Sequence, residues 1–128
     1  MEIKVLGYVE AGFPAGAEEE LLDTMSLDEF LIDKKEATYI LKVKGDSMID
    51  AGILPGDMIL VERGKRARVG DIVVALIDGE YTLKFYRESP PAGGGKAYLE
   101  AGNKKYKPLY PKEELKLEAV VIAVIRKY

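Results

Sequence analysis

Hydrophobic and polar residues alternate along several short stretches of the chain, which is the two-residue period of a β-strand rather than the period of a helix. Turn-forming residues, chiefly glycine, proline and aspartate, separate these stretches. Between two of them stands Asp78-Gly79, a strong signal for a two-residue hairpin turn. The pattern therefore predicts a mainly β fold, with strands over residues 3–10, 37–44, 57–62, 71–77, 80–87 and 116–127.

Three other segments add to this pattern. Ser26, followed by residues 27–29, is typical of an N-cap and an acidic first turn, so we expect one short helix there. Residues 89–96 contain two prolines and three successive glycines, which predicts a flexible hairpin tip. The last strand, 116–127, has no polar face, so we expect the core to bury one side of it and a second subunit the other.

The chain has 128 residues, of which 48% are hydrophobic and 32% charged. This suits one compact domain over residues 1–128, with 1–16 as a strand plus an accessible segment and 17–128 as the β core. The net charge of −3 gives no reason to expect direct DNA binding by this chain. No run approaches the roughly 20 apolar residues that span a bilayer, and residues 1–4 lack the features of a signal peptide. We expect a soluble, cytoplasmic protein with no membrane partner.

Neither cysteine nor histidine occurs in the sequence. Their absence excludes Ser-His-Asp and Cys-His catalysis, disulfides and the usual zinc sites, because the required base or ligand is missing. No metal site and no cofactor are expected. A hydrolase with this composition needs a lysine, aspartate, glutamate or tyrosine as its base.

Ser47 and Lys84 are the candidates for such chemistry. Ser47 lies where a predicted strand gives way to a turn, a place that can present a hydroxyl beside free backbone N–H groups. From local sequence alone, a serine after Gly-Asp is more often a turn or cap residue. Lys84 shares a strand face with Thr82 and Tyr86, and in isolation such a lysine more often points to water. A lysine is a base only when neutral, and its unperturbed pKa is about 10.4, so burial by the rest of the fold is required.

Four sequence blocks occur in order at suitable spacing: Gly45-Asp46-Ser47-Met48-Ile49-Asp50-Ala51-Gly52-Ile53, Gly56-Asp57, Gly70-Asp71-Ile72-Val73-Val74-Ala75 and Glu80-Tyr81-Thr82-Leu83-Lys84. They resemble the signature blocks of the LexA/UmuD autoproteases, and the resemblance extends over nearly the whole chain. It implies coiled antiparallel sheets around a small barrel, as in LexA and signal peptidases. It also implies a dimer formed through the C-terminal region.

The resemblance assigns roles to individual residues. It implies that Ser47 attacks, that neutral Lys84 takes the serine proton and later gives it to the leaving amine, and that Thr82 hydrogen-bonds the lysine. Asp46 and Met48, on either side of the serine, are implied as oxyanion and supporting residues. The expected oxyanion donors are the backbone N–H groups of Asp46 and Ser47.

The family cuts an Ala-Gly or Cys-Gly bond in its own N-terminal segment, which implies cleavage here between Ala11 and Gly12. The sequence contains five Ala-Gly dipeptides, but only this one combines an extended apolar approach with a Gly-Phe-Pro exit. Ala15-Gly16 is the second choice. Cleavage within one chain would close a loop of about 35 residues between Gly12 and Ser47, at a cost on the order of 3 kcal/mol.

Two versions of this function stay open at the level of sequence. LexA-type repressors carry an N-terminal winged helix-turn-helix domain, and there is no room for one ahead of Gly7. The chain is therefore expected to be either a UmuD-like subunit of a translesion polymerase, with a Y-family polymerase partner, or the catalytic domain of a LexA-like repressor. In both, the RecA filament on single-stranded DNA is the implied co-protease of the SOS response. A signal peptidase would need a membrane anchor that is missing here. The alternative from another class is a non-enzymatic β-barrel interaction module with residues 63–68 as a basic contact loop.

Overall fold

A computed structural model of the protein describes residues 1–9, 11–12, 23–90, 92 and 94–128. Contacts within the chain divide it into two units, Met1–Asp33 and Lys34–Tyr128. The single domain predicted from composition stays a prediction. No helix among the described residues is long and apolar enough to cross a membrane.

The first unit contains a small antiparallel pair of strands and the predicted helix. Strand β1 (Glu2–Val5) pairs with β2 (Asp23–Ser26), and Glu2 lies opposite Ser26. Helix α1 (Leu27–Leu31) follows directly, with Ser26 at its N-cap, although the serine side chain makes no capping hydrogen bond. The short helix is therefore confirmed. The first strand is shorter than predicted, because it ends at Val5 instead of continuing to residue 10.

The second unit is one six-stranded antiparallel sheet, with the strands in the order β3-β4-β8-β5-β6-β7. This confirms the mainly β fold. The sheet is open among the described residues, with β3 and β7 at its edges, so they do not form the closed barrel that the resemblance implied. The strands are β3 (Thr38–Lys42), β4 (Met58–Arg63), β5 (Ile72–Ile77), β6 (Glu80–Glu88), β7 (Ala97–Glu100) and β8 (Leu115–Ile125).

The hairpin between β5 and β6 fixes the position of Lys84. Asp78 and Gly79 both have positive φ angles, 48° and 86°, as a two-residue turn matched to the twist of the strands requires. The pairing sets Lys84 opposite Val73 and Thr82 opposite Ala75. Since side chains alternate along a strand, Thr82 and Lys84 point to the same face of the sheet.

Apolar side chains pack into two buried clusters on the sheet. One contains Met48, Ile53, Ile59, Val61 and Ala119, and the other contains Val73, Ala75, Ile77, Leu99 and Val120. Strand β8 lies between β4 and β5 and contributes to both clusters. Of its residues only Ala119 and Val120 are buried within this chain. Cover of the rest by a second subunit stays a prediction.

Candidate active site

A sharp turn after β3 presents Ser47. Gly45 has a φ of 80°, which a glycine adopts without steric cost. After Ser47 the chain enters a short 3-10 helix, Ile49–Ala51. The neighbouring Met48 side chain is only 2% exposed and belongs to the first core cluster. The turn that carries Ser47 is therefore anchored in the core by the next residue, Met48.

Lys84 lies on β6 with its amine directed at Ser47. Its Nζ is 3.2 Å from Ser47 Oγ, 2.6 Å from Thr82 Oγ1 and 3.1 Å from the carbonyl oxygen of Leu83. The residue is only 9% exposed. Desolvation by this burial lowers the pKa of the Lys84 amine from its ordinary value of 10.5. Among the described residues, no ion pair involves Lys84, so no carboxylate opposes the effect of burial.

These three partners suit a neutral amine. A neutral lysine has two N–H donors and one lone pair, whereas the charged form has three donors and no acceptor. The Leu83 carbonyl can only accept, but the hydroxyls of Ser47 and Thr82 can accept or donate. When the amine is neutral, Ser47 can donate to the lone pair while the two N–H groups donate to Thr82 and Leu83. The arrangement can therefore hold a lysine ready to take the serine proton.

The Asp46 side chain lies away from the lysine. Its carboxylate accepts hydrogen bonds from the Tyr106 hydroxyl and from Lys105 Nζ, the latter at 3.2 Å. These two bonds, Tyr106 first, lower the pKa of Asp46, and its own backbone N–H also contributes. Among the described residues, the hydrogen bonds of the Asp46 carboxylate therefore come from Lys105 and Tyr106, whereas Lys84 is bonded to Ser47, Thr82 and Leu83.

Two contacts to the nucleophile turn were not predicted from the sequence. The segment 101–106 reaches it from the end of β7, where Asn103 Nδ2 donates to the Asp46 carbonyl at 2.8 Å. Asp50 N donates to the Gly102 carbonyl at 2.7 Å. The dipeptide Gly102-Asn103 signals a turn. Nothing in the local sequence indicates what that turn contacts.

An ion pair between the buried Asp57 and the exposed Arg126 holds the loop that follows Ser47. Arg126 contacts both carboxylate oxygens of Asp57, at 2.8 and 2.7 Å, and also donates to the Gly52 carbonyl at 2.8 Å. Asp57 is 3% exposed. The Arg126 guanidinium, followed by the backbone N–H of Leu54, lowers the pKa of Asp57 to about 2. Arg126, directly after β8, is thereby tied to residues 52–57, and no local pattern in the sequence predicts this pairing.

A groove lined mainly by apolar residues reaches Thr82, the hydrogen-bond partner of Lys84. Residues 41–44 at the end of β3 and residues 81–83 of β6 line its two sides, and Ile59 and Val74 complete it. Because β3 and β6 are not neighbours in the sheet, the sheet must coil to bring them together. The groove can accept an extended chain with apolar side chains.

The predicted cleavage site lies in the first unit. Ala11 and Gly12 are both exposed. On the side before them, Tyr8 is 82% and Val9 93% exposed. Residue 10 and the exit segment with Ala15-Gly16, the second choice, lie outside the described residues.

The basic loop of the non-enzymatic alternative forms the connection between β4 and β5. Arg63 at its start stacks over the Tyr39 ring, with 4.5 Å from the guanidinium carbon to the ring centroid. Near its other end, Arg68 N donates to Asp71 Oδ2 at 2.8 Å. Both interactions are internal to the chain.

Comparison with known proteins gives consistent matches. The family model described as Peptidase S24-like matches residues 4–122. A LexA repressor of Carboxydothermus hydrogenoformans is 41% identical over 129 residues, which cover 100% of this chain and 61% of the relative. A LexA repressor of Caldicellulosiruptor saccharolyticus is 42% identical, and the match covers 99% of this chain and 60% of the relative. A LexA repressor of Alcanivorax borkumensis is 40% identical, and the match covers 98% of this chain and 59% of the relative. The chain thus spans about three fifths of the length of these curated relatives.

Proposed function

Because the chain belongs to the Peptidase S24-like family, we propose that it is a self-cleaving serine peptidase that cuts its own Ala11–Gly12 bond. Ser47 is the nucleophile and Lys84 the general base. The observation that carries this proposal is the 3.2 Å approach of a buried lysine amine to the serine hydroxyl. A solvated surface lysine would stay charged at neutral pH and could not take the proton.

The reaction begins with proton transfer from Ser47 Oγ to neutral Lys84 Nζ while Oγ attacks the carbonyl carbon of Ala11. The resulting oxyanion is stabilised by backbone N–H groups of the turn, chiefly that of Ser47. When the intermediate collapses, the C–N bond breaks and Lys84 gives its proton to the nitrogen of Gly12. Ser47 then carries Ala11 as an ester. Lys84, neutral again, takes a proton from water to hydrolyse it.

The supporting residues have distinct parts in this mechanism. The Thr82 hydroxyl accepts a hydrogen bond from an N–H group of Lys84. This bond orients the lone pair of the lysine amine towards Ser47. Met48 anchors the turn through the core. The groove that reaches Thr82 takes the extended segment before Ala11, in which the exposed side chains of Tyr8 and Val9 are available for burial. Such burial contributes roughly 25 cal/mol per Å² of apolar surface removed from water.

We propose that, in the cell, this chain acts as the catalytic part of a LexA-like repressor in the SOS response to DNA damage. The relatives named above are LexA repressors, and their greater length leaves room for a further domain. This supports the repressor over the UmuD-like polymerase subunit. The cytoplasmic setting, the RecA filament as co-protease and a homodimer through β8 belong to the same proposal. A filament that favours the docked cleavage segment would switch on the reaction by population shift.

Incubation of the purified chain at neutral pH and near pH 10, followed by intact mass measurement, tests the cleavage. We expect two fragments, residues 1–11 and 12–128, formed faster at alkaline pH because Lys84 is then neutral in more molecules. Activated RecA filament should accelerate the reaction at neutral pH. A fragment that begins at Gly16 would move the site to the second choice.

Variants assign the roles in the same assay. Ser47→Ala and Lys84→Ala should each abolish cutting. Lys116→Ala, which removes a lysine whose side chain is 63% exposed on β8, is the matched control and should cut at the normal rate. A wild-type chain that stays intact at pH 10 and with the filament refutes the proposal and leaves the interaction module as the better explanation.

A further inference from the structure

The peptide bond between Asp46 and Ser47 is held from outside the nucleophile turn. Its carbonyl oxygen, that of Asp46, accepts a hydrogen bond of 2.8 Å from Asn103 Nδ2. A weaker contact of 3.4 Å comes from Ile49 N. Asn103 is 57 residues away in sequence, so this contact is not part of the local turn.

The same peptide unit carries the N–H of Ser47. In a trans peptide the carbonyl oxygen and the N–H lie in one plane and point in opposite directions. The described residues contain no cis peptide bond. A hydrogen bond that fixes the direction of the Asp46 carbonyl therefore also fixes the direction of the Ser47 N–H. Within the described parts of the chain, that N–H is not a donor in any hydrogen bond, which leaves it available to a ligand.

We infer that Asn103 is a positioning residue for catalysis, which aims the Ser47 N–H at the oxyanion through the Asp46–Ser47 peptide. The inference rests on the proposed function, because the oxyanion forms only if Ser47 attacks. The hydrogen bonds of its side chain join it to the Asp46 carbonyl and to Lys105 N, and among the described residues none joins it to Ser47 Oγ or Lys84.

The surroundings of Asn103 give it the rigidity that this role requires. Its own Oδ1 accepts a hydrogen bond of 3.0 Å from Lys105 N, which orients the side-chain amide. The adjacent Gly102 packs so closely on the nucleophile turn that an added Cβ would lie 3.3 Å from the Met48 Cα. The contact is therefore part of a packed interface between two loops.

Two replacements separate the donor from the rest of the side chain. Asn103→Asp has the same shape and can still accept from Lys105 N, but it cannot donate to the Asp46 carbonyl. Asn103→Leu removes the donor and the acceptor without adding charge. We expect both to slow self-cleavage by roughly 10- to 100-fold, since misplacing an oxyanion donor is costly but less so than removing it. Asn103→Gln, which keeps the donor, should restore part of the rate.

The pH profile distinguishes positioning from structural damage. In Asn103→Leu, which adds no charge near Lys84, the rate should fall by the same factor at every pH and the midpoint of the profile should not move. A collapsed site would expose Lys84 and shift the midpoint upward, towards that of an ordinary lysine. Tyr106→Phe is the control, since it removes a bond to the Asp46 carboxylate but none to the carbonyl, and its rate should stay near normal.

The outcomes also separate this inference from the proposed function. A wild-type chain that cuts itself while Asn103→Asp cuts at the same rate overturns the inference and leaves the function intact. A loss of rate confined to Asn103→Leu, with a lower melting temperature or a shifted midpoint, assigns Asn103 a structural role and also overturns it. A wild-type chain that never cuts refutes both.

Discussion

The buried lysine has a thermodynamic signature that can be measured without any cleavage. Burial lowers the pKa of Lys84 in the folded protein below its ordinary value of 10.5. At pH values between the lowered pKa of Lys84 in the folded protein and its ordinary pKa in the unfolded chain, the unfolded chain binds a proton that the folded chain does not. Folding stability therefore rises with pH across that window, and the contribution is constant below it. Replacing Lys84 by methionine, which has a similar length and no charge, removes this dependence.

The expected slope follows from one proton. Within the window, the free energy of unfolding of the lysine form should gain about 1.4 kcal/mol per pH unit relative to the methionine form. The absolute difference at one pH is a poorer measure, because methionine also removes the hydrogen bonds of Lys84 to Thr82 and Leu83. The change of the difference with pH is insensitive to those lost bonds. It reports the titration of Lys84 alone.

The measurement uses urea unfolding of two chains, Ser47→Ala and Ser47→Ala/Lys84→Met. The serine replacement prevents cutting during the experiment, and both chains carry it, so that they differ only at Lys84. We expect the two stability curves to differ in slope at pH values below about 10.5, the ordinary pKa of lysine. Parallel curves over this range would mean that Lys84 titrates as an ordinary lysine, and they would refute the assignment of a desolvated base.

Two further predictions concern the partners of the catalytic residues. Thr82→Val keeps the side-chain shape but removes the acceptor 2.6 Å from Lys84 Nζ, so self-cleavage should slow by about tenfold, the worth of one hydrogen bond. Thr82→Ser should retain the rate, and equal rates in all three chains would contradict the role of the hydroxyl. For Asp57, whose folded pKa is lowered to about 2 from 3.8, stability should be lost as the pH falls from about 4 to about 2. Urea unfolding of Asp57→Asn should lack this part of the acid dependence, and an unchanged acid slope would show that the pair with Arg126 does not form.

The local elements were the most predictable part of the fold. The β5–β6 hairpin could be placed from Asp78-Gly79, because a two-residue turn with positive φ angles leaves few other pairings. The short strands β2 and β7 were missed. Each has only four residues, and β2 reads Asp-Thr-Met-Ser, which has neither alternation nor a run of β-branched residues. Such strands form because a neighbour offers them a pairing edge, and a local pattern does not contain that information.

The catalytic pair could be named from resemblance but not from local physics. Ser47 and Lys84 are 37 residues apart, and each alone is better explained as a turn residue or a surface lysine. Their contact depends on burial supplied by other parts of the sheet. The same limit applies to Asn103, because the turn it belongs to is visible in the sequence while its contact with the Asp46 carbonyl is not.

Two irregularities in the sheet explain why the contact between Ser47 and Lys84 could not be derived from the alternation of hydrophobic and polar residues. The pairing between β4 and β8 shifts register between Leu60 and Val61, and the pairing between β8 and β5 shifts between Val74 and Ala75. A slip of one residue turns every following side chain to the other face of the sheet. Both shifts fall within uninterrupted apolar stretches, where the pattern of hydrophobic and polar residues cannot reveal them. The side of the sheet on which Lys84 meets the turn after β3 is therefore decided by the complete set of strand pairings.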